Sequence, residues 1–438
     1  MMQRLILHWL RRPCKVDILR RTLISNASNR ETLTIEETTE KLKLLVGERT
    51  RCGSSTADSL FAPVATSQDD IPPRTMAHSF RKVVIPLGTN PMVKEKYINF
   101  YQGIRFGRIL EDLDMFAVAI CYVHSHDPVH RDMNSPLNIV TALVDRIVLS
   151  EQPILPDRDI RMQGKVTWAG KTSMEVTMKL DQEIDQSWKQ LLEAKFVMVA
   201  RNAATKSVAV INKLIPEGPE EEALFKLGEE TKAQRMLESQ KTLLKTPPDE
   251  NERLLIHNLF LETLDPKAST FKVRVKPERS VWMEDTIVKK LVICFPEERN
   301  LYNKIFGGFL MRKAFELAYA NACFHCKGNA KVLVVDNIAF KKSVEIGSFL
   351  FLSSQVVYTL DNQMMVKVHA EVVNPKDDSR ETTNDLYFLF AAQTTEVPRV
   401  IPKSYAESML YLDGKRHFDF VKDNWSQGSN VNGQFPQV

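Results

Sequence analysis

One order of elements occurs twice in this chain, and that duplication limits the fold more than any other feature. From Phe80, FRKVVIPL reads as a short strand, followed by a loop with Pro86, Gly88 and Pro91. The next segment, YINFYQGIRFGRILEDLDMFAVAICYVHSH, carries apolar residues at helical spacing from Ile109 to Val123. Its second half is apolar almost all round, as in a helix buried on most sides. Four β-rich runs follow, over 139–149, 159–168, 174–180 and 194–201. From Val281 the order recurs: the strand IVKKLVICF, the loop PEERNLYNKIFGG and the long apolar helix FLMRKAFELAYANACFHC. Strands are then expected over 332–340, 349–358, 364–373 and 386–393. TALVDRIVL (141–149) parallels VLVVDNIAF (332–340), placing Asp145 opposite Asp336. RFGRIL (105–110) parallels IFGGFL (305–310), with Gly107 set opposite Gly308. Self-similarity at a spacing of about 200 residues means tandem domains, not a solenoid.

A helix this apolar cannot lie on a surface. Wrapping a curved antiparallel sheet around it is the least costly solution, so each unit is predicted to be α+β. Every such unit leaves sheet edges, and pairing two units removes some of them.

The rest of the chain differs in character. Residues 1–25 are rich in arginine and poor in acids, with Leu5, Ile6, Trp9 and Leu10 interleaved, the pattern of a mitochondrial presequence. Residues 26–75 are polar, with one helix expected over 35–46. The two predicted domains cover 76–210 and 276–400, joined by a charged, mainly helical linker over 211–275. There Pro247 and Pro248 stop one helix and Asp249 is placed to cap the next. Residues 401–438 are expected to form a polar tail, partly ordered at first and with its last ten residues disordered. Mean hydropathy is −0.24, and no apolar run approaches the ~20 residues a membrane helix needs. With 59 basic and 55 acidic residues, the charge is too balanced for a nucleic-acid footprint. Six cysteines in 438 residues are too few for a disulfide scaffold and point to a reducing compartment.

Four segments carry a resemblance: FGRILEDLD (106–114), VWMEDT (281–286), RNLYNKIFGGFLMRKA (299–314) and SMLYLDG (408–414). Together they make the chain similar to the double-hotdog acyl-coenzyme A thioesterases of the mitochondrial type. The resemblance implies an α+β tandem hotdog fold that hydrolyses fatty acyl-CoA in the mitochondrial matrix. It also implies an assembly of two or three chains, with no metal, no cofactor and no membrane insertion. In that family a loop Asn precedes a Gly at the start of the central helix, and a carboxylate stands two turns into the partner helix. Asn99, Gly107 and Asp114 match throughout; in the second unit Asn300 and Gly308 match, but Phe315 replaces the acid.

The resemblance implies sites between the two units with the pairs crossed, and so one complete centre. In it Asn300 is expected to position water, Asp114 to be the base, and the Gly308 N–H, beside Gly307, to receive the oxyanion. Asn99, Gly107 and Phe315 form a vestigial centre. Glu316 adjoins Phe315, but one residue is about 100° of helix rotation, so it should not simply substitute. Asp112 is the alternative base within the acidic helix start, and Glu316 a weaker one. Lys341 and Lys342 are candidate contacts for coenzyme A phosphates, or simply a solvated turn.

Competing motifs are weaker. CFHC (323–326) has metal or redox spacing but no second pair, and HSHDPVH (124–130) offers three histidines in a loop. No G-x-S-x-G elbow, Walker loop or Rossmann fingerprint occurs. A non-catalytic acyl-CoA sensor and a hotdog hydratase or dehydratase remain as rival readings. The hydratase class typically pairs His with Asp, and neither central helix start carries a His.

Overall fold

The computed structural model describes residues 32–46, 62–126, 135–238, 242–267, 270–300, 304–336, 338–375, 379–393 and 396–428. The expected presequence, the histidine loop beyond His126 and the last ten residues lie outside them.

The first unit contains β1 (Leu33–Thr34), α1 (Ile35–Val46), β2 (Arg81–Ile85), α2 (Phe106–His124), β3 (Leu137–Val144) and β4 (Ile147–Leu149). It continues through β5 (Ile160–Ala169), β6 (Ser173–Ile184) and β7 (Ser187–Asn202). Two helices follow, α3 (Gly218–Glu238) and α4 (Glu250–Leu261). The second unit holds β8 (Ser280–Trp282), β9 (Val288–Ile293), α5 (Gly307–Cys326), β10 (Ala330–Val335) and β11 (Ile338–Ala339). After these come β12 (Phe349–Leu360), β13 (Gln363–Val373), β14 (Arg380–Ala392), β15 (Arg399–Ile401) and α6 (Tyr405–Gly428).

The central helix α2 is enclosed as its sequence demands, whereas α5 is buried along one broad side and leaves Phe324 exposed. Every residue of α2 from Phe116 to His124 is buried. At about 1.5–3 kcal/mol for each large apolar side chain removed from water, this helix anchors its unit. Among the described residues, thirteen strands form one sheet, with the main order β1-β2-β5-β6-β7-β4-β10-β14-β13-β12-β9. The seam is antiparallel: Ile147 and Val148 of β4 face Val335 and Val334 of β10. Beside it, Leu143 and Val144 of β3 face Ala339 and Ile338 of β11. Edge strands that would template aggregation are thereby paired with each other.

Three details depart from the sequence expectations. Each long apolar run after a central helix is broken in two, at Asp145–Arg146 and again at Asp336. In the first unit both halves, β3 and β4, pair with β7 of their own unit and with a strand of the other. The β6–β7 hairpin extends to a two-residue turn at Asp185 and Gln186, whose φ values of 52° and 61° suit the twist of the flanking strands. Its outer half is polar and so carried little strand signal.

The third departure is the expected tail. Residues 405–428 form α6, which covers the second sheet with Leu412, Phe418 and Val421 buried. Tyr358 packs against Tyr411 and Phe418 at ring separations of 5.2 and 5.1 Å. A Cβ at Gly414 would stand 2.6 Å from Val357, so glycine is what lets the helix lie this close. The apolar face of α6 is diluted by charges, which hid it in composition.

Asp249 caps α4 as expected, in a capping box with Glu252.

Candidate active site

The two central helices begin in register, with Phe106 and Gly307 as their first residues, so Gly107 and Gly308 are equivalent second residues. The loops before them are equivalent too. Asn99 Oδ1 accepts the Gly103 N–H at 3.0 Å, and Asn300 Oδ1 accepts the Lys304 N–H at 3.1 Å. Each Asn also donates its backbone N–H to the carbonyl of the same partner, at 2.8 and 2.6 Å. Both side chains close the loop that launches a helix.

The helices then cross almost backbone to backbone. A Cβ at Gly308 would be 2.9 Å from Glu111 Cα, a distance real Cβ atoms do not tolerate. Only glycine permits the approach that brings the free amides at the start of α5 to α2. Asp114 is waiting there, fully buried. Its Oδ2 accepts the Gly308 N–H at 2.6 Å. Its Oδ1 accepts the Thr141 hydroxyl of β3 at 2.5 Å. Burial pushes the Asp114 carboxyl up to about 7, against the two donors that favour its charge; Glu111 adds to the rise. A carboxyl poised there exchanges protons near neutral pH, as a general base must.

The structure thus brings Asp114 and Gly308 together across the two units. The Gly308 N–H, the expected oxyanion donor, is bonded here to the Asp114 carboxylate. Gly307 lies close as well: a Cβ there would be 3.1 Å from Asp114 Oδ2.

The equivalent crossing has no acid. A Cβ at Gly107 would be 3.4 Å from Phe315 Cδ1, the place that Asp114 fills on the other side. Phe315 is embedded among Phe106, Phe388 and Phe390 at ring separations of 5.4, 5.6 and 5.9 Å. Glu316 points elsewhere and is held by Arg105, whose Nε and Nη2 donate to it at 3.1 and 2.6 Å. Thr141 was missed in the sequence. Its counterpart in the parallel of TALVDRIVL with VLVVDNIAF is Val332, and that polar-for-apolar exchange was the available signal.

The other candidates have structural partners. Asp112, also raised to about 7 by burial, accepts the Tyr97 hydroxyl at 2.7 Å. Lys341 pairs with Asp385 at 3.0 Å and Lys342 with Glu381 at 2.6 Å, both half exposed. His325 of CFHC bonds the Pro398 carbonyl at 2.8 Å. His124 is buried against the Asn212 carbonyl at 3.1 Å, and burial lowers it to about 4. Among the described residues, no group of three or more His, Cys, Asp or Glu stands ready to hold a metal, and no helix is long and apolar enough to cross a membrane.

Fold and site together define a double-hotdog protein in which the buried Asp114 carboxylate of one unit meets the helix-start amide of the other. No protein-family model matches the chain. It is 48% identical over 390 residues to human acyl-coenzyme A thioesterase 9, mitochondrial, covering 88% of each chain. To mouse acyl-coenzyme A thioesterase 10, mitochondrial, it is 49% identical over 353 residues, 80% of each chain. A solved acyl-CoA hydrolase from Staphylococcus aureus, in complex with butyryl coenzyme A, is 22% identical with a TM-score of 0.33, covering 35% of this chain and 96% of that one. The chain belongs to the family of the mitochondrial acyl-coenzyme A thioesterases 9 and 10.

Proposed function

We propose that this protein hydrolyses acyl-CoA thioesters at one centre per chain, between α2 and α5. The observation that carries this is the Asp114 carboxylate, buried on one unit and bonded to the Gly308 amide of the other. The thioester oxygen takes over the Gly308 N–H on binding. Losing that donor makes Asp114 more basic just when a base is needed. Asn300, at the mouth of the α5 loop, positions water.

Asp114 removes a proton as the water oxygen attacks the carbonyl carbon. The tetrahedral intermediate leaves its negative oxygen on the helix-start amide. Collapse breaks the carbon–sulfur bond, and the Asp114 proton passes to the departing thiolate. Free coenzyme A and a fatty acid leave, the acid giving up its own proton to water. Thr141 holds the carboxylate in orientation throughout.

The Arg-rich start, together with the mitochondrial relatives, supports import into the matrix and removal of the segment. The single sheet leaves β9 and β1 as outer edges, which supports assembly into dimers or trimers of the chain.

Thiol release from acyl-CoA, followed in steady state with wild type and Asp114→Asn, tests the reading. Turnover in wild type that collapses in the variant is expected. Binding without turnover would mean a sensor, and double-bond hydration without thiol release would mean a hydratase.

A further inference from the structure

The two central helices meet at a pair of opposite charges as well as at their glycines. In the register that sets Gly107 opposite Gly308, the counterpart of Glu111 is Arg312. These counterparts touch: Arg312 Nε lies 3.3 Å from Glu111 Oε2. A residue that meets its own counterpart sits on the pseudo-twofold axis between the units. Two identical chains would place like side chains there. A duplication within one chain is free to make them opposite.

The setting of Arg312 is unusual for a buried cation. Its side chain is 11% exposed, and its Nε makes no hydrogen bond. A second acid, Glu298, stands 3.6 Å from Nη2. Neither contact is the forked pairing that makes arginine–carboxylate bridges strong. Glu111 meanwhile has a closer cation, Arg108, at 2.7 Å. Neutralising Glu111 is therefore not the whole use of Arg312. Its location supplies the rest. Arg312 lies one turn beyond Gly308 on α5, and Glu111 lies one turn before Asp114 on α2. The Glu111 backbone is also the surface on which Gly308 rests.

We propose that Arg312 is a positioning residue: it pins Glu111 across the axis, keeping the Gly308 amide on Asp114 and the Glu111 charge turned from that carboxylate. The inference rests on Asp114 being the base. The titratable groups that act on Asp114 directly are Glu111 and Cys121 on its own helix, while Arg108 on α2, Arg312 on α5 and Glu298 in the loop before α5 act on Glu111. Asp112 is occupied by Tyr97. Of the acids, Glu111 acts most directly on Asp114 and raises its carboxyl. Without Arg312 it would keep Arg108 alone, and its less compensated charge would raise Asp114 further.

The test is kcat/KM against pH for thiol release by wild type, Arg312→Met, Arg312→Lys, and Arg312→Met combined with Glu111→Gln. Arg312→Met should move the acid limb upward by about half to one pH unit, the scale of one unscreened neighbouring charge. Activity at pH 7 then falls about two- to fivefold and recovers at alkaline pH. Arg312→Lys should shift the limb less, in the same direction, and serves if the methionine variant folds poorly. Adding Glu111→Gln should bring the limb back to its wild-type place or below it, because Glu111 already raises Asp114 in the wild type. A limb that stays put while thermal stability drops, or that Glu111→Gln fails to restore, overturns the inference and leaves Arg312 as packing. Asp114→Asn separates the two levels: a limb that persists in its residual activity defeats the base assignment itself, and this inference with it.

Discussion

Two helix crossings in one molecule share a backbone design and differ in two side chains. At one, Gly308 meets Asp114 with Thr141 behind it. At the other, Gly107 meets Phe315, with Val332 in the place of Thr141. The glycines and the loop asparagines are kept on both sides, because helix approach and loop closure need them whether or not chemistry occurs. The carboxylate and its hydroxyl partner occur on one side alone. A buried carboxylate is costly and is tolerated only with donors. Phe315 instead joins an aromatic cluster that helps hold the second unit together. One crossing holds a buried carboxylate; the other is core.

The comparison can be broken at its largest expected effect first. Asn300→Ala should lower turnover by about 100-fold if it positions the attacking water, the usual scale for such a loss. Asn99→Ala, measured alongside, controls for loop damage, since both delete an amide that closes an equivalent loop. Equal inactivity in two folded proteins would contradict the single-centre account.

Gly308→Ala comes next. Its Cβ would press on Glu111 backbone at 2.9 Å, so overpacking should cost about 1–3 kcal/mol. Activity should fall more steeply than thermal stability, because the displaced amide is the one Asp114 holds. Gly107→Ala meets its tightest neighbours at 3.3–3.4 Å and should be milder on both counts.

Thr141→Val copies the Val332 side and removes a donor that favours the charged carboxylate. The Asp114 carboxyl should rise above about 7, and kcat/KM at neutral pH should fall several-fold, with recovery at higher pH.

Stability against pH gives a smaller, independent handle. The folded-state value of about 7 lies above the unfolded value of about 4, so the folded state binds the extra proton between them. Asp114 therefore detracts progressively as pH rises from about 4 to about 7, and its effect is level above that. Asp114→Asn should gain thermal stability relative to wild type at pH 8 more than at pH 4.5, as calorimetry at the two pH values would read. The reverse ordering would show the carboxylate to be stabilised by burial among its donors.

Much of this was legible before any coordinates. The duplication gave the architecture, since a helix apolar on nearly every side has few places to go. The shared Asn–Gly spacing, followed by Asp114 in one unit and Phe315 in the other, pointed at both crossings. What stayed hidden depended on long-range partners. Thr141 on β3 and the Gly308 amide on α5 both meet Asp114 from elements distant in the chain. Helix α6 was hidden for a different reason: its buried positions are interleaved with Asp413, Lys415 and Arg416, whose charges are met by Tyr387, Asp419 and Glu252. Local composition cannot reveal such pairing.

The central claim is that Asp114 is the base of the one working centre. The most direct measurement is kcat/KM for thiol release by Asp114→Asn across pH 5 to 9, with folding checked by circular dichroism. The account predicts a loss of at least about 100-fold and the disappearance of the acid limb near pH 7. Near-wild-type turnover with that limb intact would contradict it and move the base to Asp112 or Glu316.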